Sequence, residues 1–226
     1  MYELKFTDDE ICTVINSLDF YSRIWLGQYD HILWDLRWTR NCDQLDKLNA
    51  VLCKKFGDMK TIILPGLRGY GLSGSYGIFC PERNVNAAIA YDMQQEFRYK
   101  RAMFLNPKGG ITVDFRTPLP CEDDPCEFPK AECYDEDGKF CIKILIDERQ
   151  CRIIADALHI VMLENDCQIR KLFEYYTDDA AALAIADELT DLMTSIEIEH
   201  EVKNELINRI LKRLSKPQIC ENTVKS

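Results

Sequence analysis

A glycine-rich segment in the first half of the chain has the composition of a ligand-binding loop. Residues 64–78 hold five of the ten glycines of the protein, and Gly69-Tyr-Gly-Leu-Ser-Gly74 matches the pattern G-x-G-x-x-G. In a dinucleotide site the third glycine opens a helix whose amides bind the pyrophosphate. Here Ser75–Pro81 follows, with a further glycine and a closing proline, which does not fit such a helix. The pattern therefore indicates an open loop rather than a Rossmann site.

Such a loop offers backbone amides and positive-φ positions to a ligand. Arg68 would supply a cation for an anionic group, and Tyr70 or Tyr76 would supply a ring for a planar one. Ser73 lies between Tyr70 and Tyr76, and we include it in the candidate site. The alternative is a glycine-rich loop that only covers the end of a helix or sheet.

A second polar segment follows at Tyr91–Arg101. On a helix, Gln94 and Arg98 share a polar and aromatic face, which needs partners if it is buried. Asp92 and Glu96 are an i,i+4 acid pair on a neighbouring face. Acids at this spacing are common on solvated helices, so the pair carries no catalytic prediction.

The remaining reactive residue types form no recognisable site. The eleven cysteines have no C-x-x-C pair. Cys121, Cys126, Cys133 and Cys141 form one cluster, for which a zinc site is the alternative to scattered free thiols. The three histidines are isolated, and none stands with Cys or Asp at a triad spacing. We therefore predict no metal, no cofactor and no catalytic residue.

Helical periodicity predicts the elements that must position these residues. The first helix follows Thr7 and runs on to Trp38, a second spans Asp43–Phe56 and ends at Gly57, and a third spans residues 84–104. Two extended segments are expected, at residues 61–64 and Ile111–Phe115. The second half has helices at Glu148–Tyr176, interrupted near Asn165, at Asp178–Thr194 capped by Thr177, and at Ile198–Leu214 capped by Ser195. The cations Lys203, Arg209, Lys212 and Arg213 of the last helix suit its dipole and predict a solvated face.

A strand, a cap and a helix recur at an offset of 140 residues. Glu3–Phe6 and Lys143–Ile146 are strand-like, and Thr7/Glu10 and Asp147/Gln150 are capping boxes. The apolar stripes of the two following helices keep the same phase. This predicts an α+β fold, with short strands and packed helices in the first half and a mainly helical second half, and with an internal β–α duplication or two independent copies of a common unit.

Charge divides the chain unevenly. Residues 1–118 have a net charge of +1 and residues 119–226 a net charge of −11. Residues 119–138 hold eight acids, one lysine and three prolines, which is typical of a linker or a long loop. We expect an α+β domain at 1–118, this acidic linker at 119–138, a mainly helical domain at 139–216 and a tail at 217–226. A single domain containing a long loop is the alternative.

Composition excludes several classes of protein. Apolar residues make up 46% of the chain and charged residues 29%, as in globular proteins. No apolar run approaches the ~20 residues that cross a bilayer, and the first residues lack the pattern of a secretory signal. The net charge of −10 argues against nucleic-acid binding, firmly for 119–226 and less so for 1–118.

Four segments carry a resemblance to a known group of proteins: Leu18–Asp30, the Gly69–Gly74 loop, Tyr91–Arg98 and Pro107–Arg116. Over residues 4–118 the chain resembles an uncharacterised family of small proteins encoded by phages and prophages of Gram-positive bacteria. The resemblance implies a viral accessory role and no particular activity. It also implies a shared site at Gly27, Gln28, Asp30, Tyr70, Gly71, Gln94 and Arg98.

The leading hypothesis is a cytoplasmic phage or prophage accessory protein that acts by binding, either to a host or defence-system protein or to a small anionic, nucleotide-like ligand. One alternative is an enzyme acting on a nucleotide or peptide through Asp92, Glu96 and Arg98. The other is an acidic mimic of DNA. The apolar faces of the second half would also suit a homodimer.

Overall fold

The computed structural model describes residues 1–121, 126–197, 204–216 and 218–219. The protein has the expected α+β fold, with four strands and eight α-helices in the described part of the chain. In chain order these are β1 (Tyr2–Thr7), α1 (Asp8–Leu26), α2 (Asp30–Thr39), α3 (Cys42–Ile63), α4 (Val85–Leu105), β2 (Lys130–Glu136), β3 (Lys139–Ile146), α5 (Glu148–Asn165), α6 (Ile169–Phe173), α7 (Ala180–Thr194), α8 (Glu205–Leu214) and β4 (Gln218–Ile219). In those residues no helix is both long and apolar enough to cross a membrane.

The chain forms two compact units, each assembled from separated segments. The first unit comprises residues 1–22, 85–158 and 205–226, and the second comprises 23–84 and 159–204. The domain boundary expected at 119–138 therefore falls within a segment that belongs to one unit. The reason is strand pairing, because β1 pairs with β3 and the sheet takes strands from both halves of the sequence. Lys130–Glu136, expected in a linker, form β2 of that sheet.

The first unit is built on an antiparallel sheet with the order β2-β3-β1-β4. Alternation along β1 and β3 places one set of side chains inside and the other outside. Helix α4 packs against β2. The core of this unit is apolar and includes Leu4, Phe6, Ile11, Val14, Leu18, Ala88, Phe97, Ile142, Ile144, Ile146, Ile154 and Leu158, all buried.

In both predicted capping boxes the amide of the first residue donates to the side chain three residues later. The amide of Thr7 donates to Oε2 of Glu10 at 3.0 Å. In the second box the bonds are reciprocal: the Asp147 amide donates to Gln150 Oε1 at 3.0 Å, and the Gln150 amide donates to Asp147 Oδ1 at 2.8 Å. These bonds satisfy amides that the first turn of a helix leaves without partners.

The second unit is helical. Helix α7 packs against α3 and α6, and α2 lies along α3. Phe173 lies at the centre of an aromatic cluster, with its ring centroid 5.3 Å from that of Tyr29, 5.7 Å from that of Tyr176 and 6.4 Å from that of Phe56. Asp179 caps α7 by accepting the amides of Ala181 and Ala182, so the cap lies two residues beyond the predicted Thr177.

Several predicted boundaries in the first half are wrong. The first helix stops at Leu26, because Gly27 has a φ of +97°, which is the conformation that ends helices. Helix α3 runs through Gly57 to Ile63, so the segment 61–64 is mostly helical rather than extended. Ile111–Phe115 contains a 3-10 turn at Val113–Phe115 instead of a strand.

In the second half the interruption near Asn165 is confirmed, since α5 ends there and α6 begins at Ile169. The last predicted helix is described only from Glu205 onwards, and its predicted start at Ile198 lies outside the described residues. Gln218 and Ile219, expected in a tail, pair with Glu3 and Tyr2 as β4.

Candidate ligand-binding groove

A buried lysine organises the glycine-rich loop. Lys60, near the end of α3, is 1% exposed. Its Nζ donates to the carbonyl oxygens of Gly71 at 2.8 Å and Leu72 at 3.4 Å, and also to that of Gly74. Burial lowers the pKa of Lys60, and the negative charge of Asp30 opposes this change. The loop thus turns carbonyl groups, rather than amides, towards a charged group of the protein itself.

The turn between α1 and α2 holds the other side of the loop. Gln28 Nε2 donates to Ser75 Oγ at 3.1 Å, while Arg23 Nη1 donates to Gln28 Oε1 at 2.9 Å. The backbone contributes two further bonds, from the Tyr29 amide to the Leu72 carbonyl and from the Tyr76 amide to the Leu26 carbonyl. The loop is therefore fastened to both the turn and α3.

Between α2, α3 and this loop lies a groove with a cavity volume of about 590 Å³. This is within the ~300–1,000 Å³ of small-molecule sites. It is lined by Asp30, Leu33, Trp34, Asn49, Cys53, Lys54, Gly57, Tyr70, Gly71, Leu72 and Ser73. We call this cavity the loop groove.

Two aromatic side chains at the loop groove are unusually exposed for their size. Trp34 of α2 is 64% exposed and Tyr70 of the loop is 66% exposed. Large aromatic side chains are usually covered in a folded protein because their burial is favourable. Their position here offers stacking surfaces to a planar group.

One polar atom of the loop groove lacks a partner. Asp30, the first residue of α2, has a buried Oδ1 with no hydrogen bond among the described residues. A buried acceptor without a partner costs about 1–3 kcal/mol, a cost that a donor group on a ligand would remove. Asp30 is therefore the groove's most specific polar feature.

Most of the predicted site residues of the second unit lie at this groove. Asp30, Tyr70, Gly71 and Ser73 line it, whereas Gln28 lies behind the loop and fixes Ser75. Arg68 ends a 3-10 turn at Pro65–Leu67 and is exposed, outside the lining set. Sequence reasoning missed Trp34 and Lys60 as parts of the site.

Gln94 and Arg98 belong to the first unit. Gln95 Nε2 donates to Gln94 Oε1 at 2.9 Å, and Arg98 Nη2 donates to Gln95 Oε1 at 2.6 Å. Arg98 also forms an ion pair with Asp114, with 3.4 Å between Nε and Oδ1. These contacts connect α4 to the 3-10 turn at Val113–Phe115. They give both predicted residues a structural role.

The two acids of the enzyme hypothesis also have local roles. Both carboxylate oxygens of Asp92 accept the Cys121 amide, at 3.2 and 3.1 Å. Burial raises the pKa of Glu96, although the Lys100 charge opposes this. Asp92 thus anchors the segment that follows the 3-10 turn at Val113–Phe115, through the amide of Cys121.

The cysteines and histidines assemble no reactive centre in the parts of the chain that the structure describes. Ten cysteines are free thiols, and no group of three or more His, Cys, Asp or Glu could hold a metal ion in those parts. His159 contacts the hydroxyl of Tyr175, with 2.7 Å between Nδ1 and the oxygen.

Comparison of the chain with protein-family models, with curated proteins and with solved structures finds no match. The loop groove and its residues are therefore the basis of the functional assignment.

Proposed function

We propose that the protein acts by binding, and that the loop groove takes a small planar ligand of the nucleobase or nucleotide class. The observation that carries the proposal is the buried, unpartnered Oδ1 of Asp30 in a groove lined by two exposed aromatic side chains, Trp34 and Tyr70. The sequence resemblance implies no activity of its own; it adds to this proposal a viral accessory role, in the cytoplasm of a bacterium that carries the phage or prophage.

The chemistry of a nucleobase matches that of the groove. Its π-face can stack on an indole or phenol ring, which contributes about 1–3 kcal/mol per base. Its amino or imino N–H can donate to Asp30, and hydrogen bonds to charged groups contribute about 1.5–3 kcal/mol. Lys54 also lines the groove and would attract a phosphate of the ligand.

The orientation of the loop carbonyls argues against a ligand whose phosphate binds directly to the loop. Gly71, Leu72 and Gly74 direct their oxygens at Lys60, and these oxygens would not favour an anion. The orientation supports a ligand whose base, rather than its phosphate, lies against the loop.

Calorimetric titration of the protein with the common nucleosides and their monophosphates tests the proposal. We expect at least one to bind, and Trp34→Ala to weaken its affinity about tenfold or more, as the stacking energy requires. Asp30→Asn should weaken it as well. Asp30→Asn also changes the charge near Lys60. Tyr70→Ala therefore provides a second variant, which should weaken binding and leaves the charges of Asp30 and Lys60 unchanged.

Phe79→Ala is the matched control. Phe79 is an aromatic residue of the same unit, is 56% exposed and does not line the groove. Binding that falls equally in Phe79→Ala and Trp34→Ala, or no heat of binding from any nucleoside or nucleotide, would overturn the proposal.

A second candidate function, binding of a host or defence-system protein, is favoured by one surface of the first unit. Ile111 is fully exposed, and Val113 and Leu119 of the same segment are 50% and 69% exposed. A partner protein that covers these side chains would remove their apolar surface from water, which favours association. A bacterial protein that is retained by the wild type and by Lys108→Ser, but lost from Ile111→Ser, would support this function.

A further inference from the structure

A second concave site lies in the first unit, where β1 meets α8. Its cavity volume is about 500 Å³, which is also in the range of small-molecule sites. The lining residues are Glu3, Leu4, Lys5, Phe6, Arg209, Lys212, Arg213, Leu214 and Lys216. Five of the nine are basic and one is acidic, in a chain whose net charge is −10. We call this cavity the basic pocket.

Arg213 is fixed as one wall of the basic pocket. Its Nη1 donates to the Lys5 carbonyl at 2.9 Å, its Nη2 lies 2.9 Å from Oε2 of Glu10, and its guanidinium lies 5.2 Å from the centroid of the Phe6 ring. The bond to Lys5 occupies a backbone carbonyl of β1 just beyond Tyr2 and Glu3, the two residues that pair with β4. A carbonyl that is already bonded cannot pair with an added peptide strand, and this favours a small ligand in the pocket.

Glu10 neutralises part of the charge beside the pocket. It is 4% exposed, and Arg209 lies on its other oxygen, with 3.6 Å between Nε and Oε1. Burial alone would raise the pKa of Glu10, but the hydrogen bond from the Thr7 amide and the charge of Arg213 outweigh it and lower that pKa. Glu10 therefore remains a carboxylate that holds Arg213.

Three lysines of the pocket remain without a carboxylate. Lys5, Lys212 and Lys216 are exposed, and within the described residues none of them lies within ion-pair distance of an acid. The dipole of α8 favours cations in its last turn, which accounts for Lys212 but not for Lys5 on a strand. Like charges around one cavity repel one another, and a bound anion relieves this repulsion.

We propose that the basic pocket binds a phosphate-bearing small molecule. The lysine ammonium groups act as point charges for phosphate, while Arg213 and Glu10 keep the wall of the pocket in place. The proposal is independent of the loop groove, which lies in the other unit and uses other residues.

Titration with inorganic pyrophosphate, followed by calorimetry and by amide chemical shifts, tests this site. We expect the wild type to bind pyrophosphate at low ionic strength, with affinity that falls as salt is added. The double variant Lys212→Gln/Lys216→Gln should bind about tenfold or more weakly, since loss of two charge-assisted contacts costs more than about 1.4 kcal/mol.

The control removes the same charge from elsewhere in the same unit. Lys130 and Lys139 are exposed and do not line the pocket, so Lys130→Gln/Lys139→Gln should keep the wild-type affinity. Trp34→Ala should keep it too, which separates this site from the loop groove. Absence of pyrophosphate binding, or an equal loss in both double variants, would overturn the proposal.

A vesicle experiment distinguishes two sources of the phosphate. Phosphatidylcholine vesicles containing phosphatidic acid are sedimented with the protein, with and without pyrophosphate. Retention that needs Lys212 and Lys216 and is displaced by pyrophosphate would assign a lipid headgroup. Pyrophosphate binding without vesicle retention would assign a free phosphorylated molecule.

Discussion

Leu4 of β1 and Ile144 of β3 lie directly opposite each other in the antiparallel sheet, and they are also counterparts at the 140-residue offset of the sequence repeat. Among the paired residues of the two strands, Leu4 and Ile144 are the only two that lie opposite each other and are also separated by 140 residues. Two identical antiparallel strands have this property where a two-fold axis passes between them. The pair Leu4–Ile144 therefore marks a local two-fold relationship between β1 and β3.

The correspondence in sequence position and burial extends into the helices that follow. Asp8 and Glu148, the first residues of α1 and α5, are separated by the same 140 residues. Val14 and Leu18 are fully buried, as are their counterparts Ile154 and Leu158. A strand followed by a capped helix thus occurs twice in the sequence at one offset, and an internal duplication remains a prediction.

The first prediction concerns the pair at this axis. Ile144 is fully buried, so Ile144→Ala should lower the free energy of unfolding by about 2–5 kcal/mol, through lost burial and a cavity. Leu4→Ala should also destabilise, and the double variant should lose less than the sum because the two side chains share one region of the core. Urea unfolding of the four proteins measures this coupling. Strict additivity would show that the two side chains do not share a core region.

The parts of the fold that could be predicted are those that depend on residues close together in the sequence. The caps at Thr7 and Asp147 depend on residues three positions apart, so the sequence displays them directly. Gly27 carried an equally local signal for the end of a helix, but the apolar stripe beyond it concealed the break. At Gly57, by contrast, the predicted helix end is absent and α3 continues. A glycine inside a helix costs about 1 kcal/mol, and the burial of the neighbouring Phe56 and Met59 offsets this cost.

The groove was predictable only in part. Asp30, Tyr70 and Gly71 were predicted, from the expected family resemblance or from glycine density, and they line the groove. Lys60 shows no sequence signal, because its partners are carbonyls 11–14 residues away and any residue type supplies a carbonyl. Trp34 looked like another apolar residue of a long helix, since periodicity does not reveal which large side chain remains exposed.

The second prediction concerns Lys60. Lys60→Met should leave loop carbonyls without their donor, at a cost of about 1–3 kcal/mol for each group that stays buried. We expect faster hydrogen exchange at the Gly74 and Tyr76 amides, whose bonds to Gly71 and Leu26 hold the loop.

Lys54→Met is the control for that change. Lys54 lies on the same helix and pairs only at the surface with Asp58, with its side chain 75% exposed. Exchange at Gly74 and Tyr76 should remain as in the wild type. Unchanged exchange in Lys60→Met would contradict the role of Lys60 in holding the loop.

The third prediction concerns Gly27, at the break between α1 and α2. Its φ of +97° is strained for any other residue, and an added Cβ would lie 2.7 Å from Leu67 Cδ1 and 2.9 Å from Leu64 Cδ1. Gly27→Ala should therefore destabilise the protein by about 1–3 kcal/mol. Gly77→Ala should change stability by less than about 1 kcal/mol, because a Cβ there meets no atom within 4 Å. Thermal unfolding of the two variants separates a conformational requirement for glycine from a general effect of alanine.

The fourth prediction concerns a buried acid at the end of α5. Glu164 is 4% exposed, and Arg40 beside it is 5% exposed. Arg40 is already engaged, since its Nη2 donates to Cys167 Sγ at 2.8 Å and its Nη1 donates to the Ile196 carbonyl at 3.3 Å. Burial and the nearby negative charge of Asp35 raise the pKa of Glu164 to about 8, although Arg40 opposes this.

This raised pKa gives stability a definite pH dependence. Between the ordinary pKa of 4.5 and about 8, the folded protein holds a proton that the unfolded chain releases, so stability falls as the pH rises through that window. Glu164→Gln has no proton to release. Its stability relative to the wild type should therefore increase by a few kcal/mol from about pH 5 to about pH 8.5.

Urea unfolding of wild type and variant across this range measures the difference, with Glu174→Gln, which removes an exposed carboxylate of the same unit, as the control. If the two curves stay parallel from about pH 5 to about pH 8.5, Glu164 is ionised in the folded protein. The charge of Arg40 would then outweigh the burial of Glu164 and the charge of Asp35.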